Sequence, residues 1–213
     1  MHIPDGFISP QTYLPAAILS AGLLYMAYKK IDLDIEKIPF VAGVSALSFV
    51  MMLIIIPFPG GTSVHLSGIA IIALLFGAWT SFAALSLVLL LQALLFGEGG
   101  ITSLSVNILA LAFLGSFNAT LFFSLFSKYS KKIAIFIAGF ASIVIPSIFV
   151  AFILGLQPII ASKSGSPLYF PFGWDVTFIS VVVPHFFLGI IEAFVTLSVV
   201  TFLQNRYKDI LSE

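Results

Sequence analysis

The stretch that decides the fold runs from Leu66 to Phe96, L-S-G-I-A-I-I-A-L-L-F-G-A-W-T-S-F-A-A-L-S-L-V-L-L-L-Q-A-L-L-F. Read without interruption it is one overlong apolar helix. Broken at Gly77-Ala78-Trp79-Thr80 it is a short helix followed by a full one, and the local signals favour the break only weakly. Charge decides between the two. A membrane-crossing helix needs about 20 apolar residues, and the stretches 12–28, 38–57, 102–126, 132–155 and 176–203 meet that need on either side. With the break, seven segments cross. If the N-terminus is outside, the internal loops then hold Lys29, Lys30, Lys37, Lys128, Lys131 and Lys132, with Arg206 and Lys208 in the tail and only Lys163 outside. Without it, the Lys128–Lys132 cluster falls opposite the Lys29–Lys37 loop, against the excess of Lys and Arg expected on cytoplasmic loops. The expectation is an all-α integral membrane protein, a seven-transmembrane-helix bundle with its N-terminus outside and its C-terminus cytoplasmic.

Composition agrees. Of 213 residues, 60% are hydrophobic and 8% charged, against about 25% charged in a soluble domain. Too little polar surface exists to cover a globule in water. The formal net charge is zero, so no basic field points to nucleic acid. There is no cysteine, which removes disulfides, thiolate zinc sites and iron–sulfur clusters. Residues 1–213 read as a single membrane-embedded domain. The opening M-H-I-P-D-G-F-I-S-P has neither the basic start nor the apolar run of a signal peptide.

The short helix over 66–77 covers only about 18 Å at 1.5 Å per residue. The segment before it, P-F-P-G-G-T-S-V-H (57–65), is therefore expected to dip into the membrane as irregular backbone. Such backbone survives at depth only where protein buries it or it lines a cavity. Thr62 to His65 are thus expected inside the bundle on the outer side.

The N-terminus offers a specific chemistry. A bulky second residue should preserve the initiator Met, so the chain is expected to start with a free amine on Met1 and an imidazole on His2. The amine, the His2 amide nitrogen and the His2 Nδ1 lie a few bonds apart. With the amide proton displaced, they close fused chelate rings of five and six atoms and leave one corner of a plane open. Planar nitrogen coordination suits Ni(II) and Cu(II) rather than Zn(II) or Mg(II). His65, on the in-dipping segment, is the candidate fourth ligand. Pro4 and Gly6 would turn the chain inward, and Asp5 could hold that turn or orient an imidazole N–H.

M-H-I-P-D-G-F-I-S-P at the start, G-T-S-V-H-L-S-G at 61–68 and L-V-L-L-L-Q-A-L-L-F-G-E-G-G-I-T at 87–102 resemble the CbiM/NikM family. These are the substrate-binding S components of cobalt and nickel energy-coupling-factor transporters. The resemblance implies a seven-helix bundle with its N-terminal segment inserted, and a Ni²⁺ or Co²⁺ ion held by the Met1 amine, the His2 amide and imidazole nitrogens and the His65 imidazole. It also implies partners: a transmembrane T component, two cytoplasmic ATPases and often a small accessory membrane subunit. That places the chain in a prokaryotic plasma membrane and gives it no catalysis of its own. Gly97-Glu98-Gly99-Gly100 lacks the phosphate-loop pattern, and the chain ends at Ser212-Glu213, before a fused accessory subunit.

Other residues are candidates around that site. Asp5, Ser63 and Asn107 are expected to support the donors, and Glu98 and Thr102 lie at an outer turn near Asn107. His185 and Glu192, seven apart on the last helix, share a face. Ionisable groups at that depth are functional candidates, read here as a polar lock or a group on the metal's path. Ala42 and Ala46 make a small-x-x-x-small pair that lets another helix approach; in the resembled family such a face meets the T component. Two rival functions remain open. One is a stand-alone divalent-cation channel or secondary carrier, although a carrier should show paired broken helices. The other is an intramembrane enzyme using His185 and Glu192, for which the sequence offers no third catalytic group.

Overall fold

The computed structural model describes residues 2–58 and 62–207. Seven helical rods account for most of them. α1 spans Pro10–Lys30 and begins with proline, which suits the first helical turn because its missing N–H has no partner there. After a 3₁₀ turn at Ile35–Lys37, α2 runs Ile38–Leu53. It stops short of residue 57 because Ile56–Phe58 pairs antiparallel with Thr62–Val64 in a small hairpin (β1 and β2). α3 is Ile69–Phe76 and α4 is Ala78–Phe96. The hinge between them is Gly77, at φ +82° and ψ 163°, a region that a side chain rarely enters. The break in the deciding stretch is real.

α5 covers Leu104–Phe126, α6 Lys131–Ile160 and α7 Trp174–Arg206. α5 and α7 each contain a π-helical stretch, Ile108–Leu114 and Phe178–Val182. Between α6 and α7, the pairing of Ser162–Lys163 with Ser166–Pro167 makes a second small hairpin (β3 and β4). Among the described residues, five helices are long and apolar enough to cross a membrane: Ile35–Leu53, α4, α5, α6 and α7. The protein is a multi-pass membrane protein.

α3 is the axis of the bundle. Ile69, Ala70, Ile71, Ile72 and Ala73 are all buried, as an all-round apolar helix must be, and α2, α4, α5, α6 and α7 pack around it. At about 12 Å, α3 is too short to reach the rim, and the non-helical residues 65–68 supply part of the missing height. Small residues bring the other helices close. A Cβ on Gly139 of α6 would lie 2.9 Å from the Ala193 backbone of α7. Between α4 and α5, the buried Ser81 and Ser116 hydroxyls bond at 2.8 Å, the polar glue typical of packed membrane helices.

Candidate metal site at the inserted N-terminus

Residues 2–9 thread into the bundle before α1 begins. Ile3 and Ile8 are 1% exposed and Ser9 is fully buried, so the segment is anchored by apolar side chains at both ends. Between them Pro4, Asp5 and Gly6 are exposed, with Gly6 at φ +82° making the turn.

Burying backbone obliges other groups to satisfy its N–H and C=O, and the helices around it do so in a directed way. Asn107 holds Ile3 on both sides: its Oδ1 accepts from Ile3 N at 2.9 Å and its Nδ2 donates to Ile3 O at 3.1 Å. The same Nδ2 reaches Gly99 O at 2.7 Å. The Ser103 hydroxyl, one helical turn earlier, is shared between Ile3 O and Gly99 O. On α6, Gln157 Oε1 accepts from Ser9 N at 2.9 Å, and Phe170 N donates to Phe7 O at 3.2 Å.

The turn after α4 wraps the segment from outside. Asp5 accepts from Ile101 N at 3.0 Å, from Thr102 N at 2.7 Å and from the Thr102 hydroxyl. The Thr102 hydroxyl foremost, with those backbone N–H groups, holds the Asp5 carboxyl below its ordinary value despite partial desolvation. Gly99, at φ +82°, has no room for a side chain: a Cβ would lie 2.9 Å from Asn107 Nδ2 and 3.1 Å from His2 Cβ. A Cβ on Gly100 would run into Asp5.

This clamp delivers His2 to His65. The two rings stack with centroids 4.8 Å apart and planes 19° apart. With metal–nitrogen bonds of about 2.0 Å, two imidazoles on adjacent corners of one ion have centroids roughly 4–5 Å apart, so the pair fits a shared cation. The His2 side chain is 5% exposed, and burial pushes its imidazole down to about 3. It is neutral, as a ligand must be. Its Nε2 has no partner among the described residues, and Glu98, a third exposed, sits 3.9 Å from its Nδ1. His65 Nδ1 lies 3.2 Å from Leu66 O. A carbonyl only accepts, so that contact places the proton on Nδ1 and the lone pair on Nε2.

Glu192 secures the other end of the His65 segment. Its buried carboxylate accepts from Ser67 N at 3.0 Å, the Ser67 hydroxyl at 3.0 Å and Gly68 N at 2.7 Å. These donors lead into the N-terminus of α3. His185 makes no such bridge between helices: its Nδ1 bonds Val181 O of its own helix at 2.7 Å. Ala42 and Ala46 are exposed, far from this site along α2. They line a cavity of about 690 Å³ with Ala83, Ala84 and Leu87 of α4. Met1 and the Ser63 side chain lie outside the described residues. Among the described residues, no three His, Asp or Glu side chains gather to hold a metal.

Ser103 and Gln157 were not singled out from sequence, and Gly99-Gly100 was read only as part of a turn without a phosphate-loop pattern. Ser103 and Asn107 are spaced i, i+4 at the start of α5, a spacing that puts both on one helix face.

Known proteins resemble this chain. A family model described as the cobalt uptake substrate-specific transmembrane region, CbiM, matches residues 2–210. The fused nickel transport protein NikMN of Rhodobacter capsulatus is 34% identical over all of this chain and 64% of its own length. The cobalt transport protein CbiM of Thermosipho melanesiensis is 34% identical over 66% of this chain and 61% of its own. This chain thus spans about two thirds of the length of these curated relatives. A crystal structure of a truncated transition metal transporter superposes with a TM-score of 0.92 at 36% identity, covering 97% of this chain and 99% of that one. A second, of a transition metal transporter, gives 0.91 at 36%, covering 96% and 93%. The chain belongs to the CbiM family of cobalt uptake substrate-specific transmembrane proteins.

Proposed function

We propose that this protein is the substrate-binding S component of an ATP-driven energy-coupling-factor importer, and that it captures Ni²⁺ or Co²⁺ from outside. The donors are the Met1 amine, the His2 amide and imidazole nitrogens, and His65. The observation that carries this reading is the stacked, buried His2–His65 pair at the end of a hydrogen-bonded inserted segment. No hydrophobic purpose requires residues 2–9 to be clamped by Asn107, Ser103, Thr102 and Gln157. A metal chelate that begins at the chain terminus does.

The fit rests on donor chemistry. Two neutral imidazoles and two consecutive backbone nitrogens make a four-nitrogen plane, which suits Ni(II) and is compatible with Co(II). Asp5 and Asn107 hold the ligand-bearing segment, and Ser63 adjoins Val64 and His65 in sequence. Seven segments cross, α3 only together with the residues leading into it, with the N-terminus outside and the basic loops in the cytoplasm of a prokaryotic cell. The exposed Ala42 and Ala46 face is the docking surface for a T component, through which two ATPases and a small accessory membrane subunit act. This chain does no covalent chemistry. Transport proceeds by reorientation of the whole subunit.

The test is to add one residue ahead of Met1 and measure metal per chain in purified protein. Tight binding should disappear while the helical fold persists, because the amine leaves chelating position. One ion per chain in the extended protein defeats the ligand set. Metal uptake that continues in cells without the ATPases favours the stand-alone channel or carrier.

A further inference from the structure

His185 is 2% exposed, and its Nδ1 faces a carbonyl at 2.7 Å. Because a carbonyl cannot donate, the proton is on Nδ1 and Nε2 is a bare lone pair. That nitrogen has no hydrogen-bond partner among the described residues. A buried acceptor without a donor is uncommon and calls for a reason.

Its place along α7 supplies one. Glu192 bonds Ser67 and Gly68. One turn toward the N-terminus of α7, Leu188 shares an apolar cluster with Val64, and Leu66 packs against it. His185 lies three residues before Leu188 on the same face. The face that tracks residues 64–68 therefore carries His185 to the neighbourhood of His65. The π stretch Phe178–Val182 ends just before Pro184 and His185, and such stretches recur at functional sites.

His185 is not gathered with His2 and His65 as a ligand cluster. A water carried by the ion could stand between it and His185, and a water polarised by a divalent cation is a strong donor. We infer that His185 Nε2 accepts a hydrogen bond from a water on the axial face of the ion held by His2 and His65, and so biases the site toward ions that keep such a water. This rests on the capture site proposed above. A strictly planar Ni(II) centre has no axial ligand, whereas Co(II) readily takes one. His185 then tunes the choice between the two cations without touching either.

The test uses the full chain loaded with NiCl₂ or CoCl₂ alone, comparing wild type with His185→Phe, which keeps the ring but not the acceptor, and His185→Gln, which keeps an acceptor. Electron paramagnetic resonance of the Co(II) protein in water enriched in spin-bearing oxygen should show line broadening from a bound water in wild type. His185→Phe should lose that broadening, shift Ni(II) toward the planar diamagnetic spectrum, and lower the Co²⁺ to Ni²⁺ affinity ratio about tenfold, the usual size of such outer contacts. His185→Gln should recover most of the ratio. Absence of broadening in wild type overturns the inference, as do equal spectra and equal affinity ratios for wild type and His185→Phe. The wild-type measurement stands even if a variant fails to fold. A wild-type chain that binds neither cation defeats the capture site itself, which is a separate result.

Discussion

At the mouth of the bundle, Asn107 bonds both the N–H and the C=O of Ile3, and Thr102, Ile101, Gln157 and Phe170 fix the residues that follow. At the opposite end the same chain is finished differently. Lys30 lies 4.9 Å over the Trp79 ring, Lys29 lies 4.6 Å over Tyr25, and Phe40 meets Tyr207 edge-on at 5.4 Å. One end uses short, directional hydrogen bonds to backbone. The other uses aromatic rings and long cationic chains that reach for the interface. Directional bonds hold an atom in place, as a ligand requires. Cations over rings tolerate several positions. The difference separates a part that must be positioned from a part that needs only to be oriented.

The contrast can be tested by removing one contact at each end. Asn107→Ala should have the largest effect. It strands the buried Ile3 N–H, at about 1–3 kcal/mol, and ion affinity should fall roughly ten- to hundredfold with far-UV circular dichroism unchanged. An unchanged affinity would mean that the inserted segment does not depend on its clamp. Asp5→Ala should do less, a few-fold in affinity, because the N–H groups it frees are exposed to water. Its pH dependence is specific. Asp5 titrates below its ordinary 3.8 in the fold, so its stabilisation is fully present above that value and is lost as pH falls through the lowered one. Hydrogen exchange over residues 2–9 should therefore differ between wild type and variant at neutral pH, and converge only in strong acid. Lys30→Ala should be smallest, about 0.5–1 kcal/mol, read as a slightly lower unfolding temperature with ion binding untouched. If it weakens binding as much as Asn107→Ala does, the two ends are not independent.

The mouth and the basic end were also unequally legible in the sequence. The break at Gly77 could be placed because charge is counted globally: one misassigned helix moves every later lysine. The burial of Val64 and His65 was expected from length, since a helix too short for the bilayer forces its neighbour inward. Asp5 and Asn107 stood out because polar groups are costly in such a chain. Ser103 did not, because serine also bonds its own helix, as Ser142 and Ser147 do here. Gln157 and Ser9 are 148 positions apart, and nothing local links them. His185 and Glu192 share a helix face and read alike from spacing. Their partners differ because only the fold brings residues 67 and 68 up to Glu192.

One feature of the axis has a bearing on traffic through the molecule. Directly inward of His65, the chain continues into α3, whose first five side chains are packed on all sides with 0–1% exposure. A divalent cation cannot shed its hydration into five close-packed alkyl groups. Among the described residues, α3 therefore closes the way inward from His65.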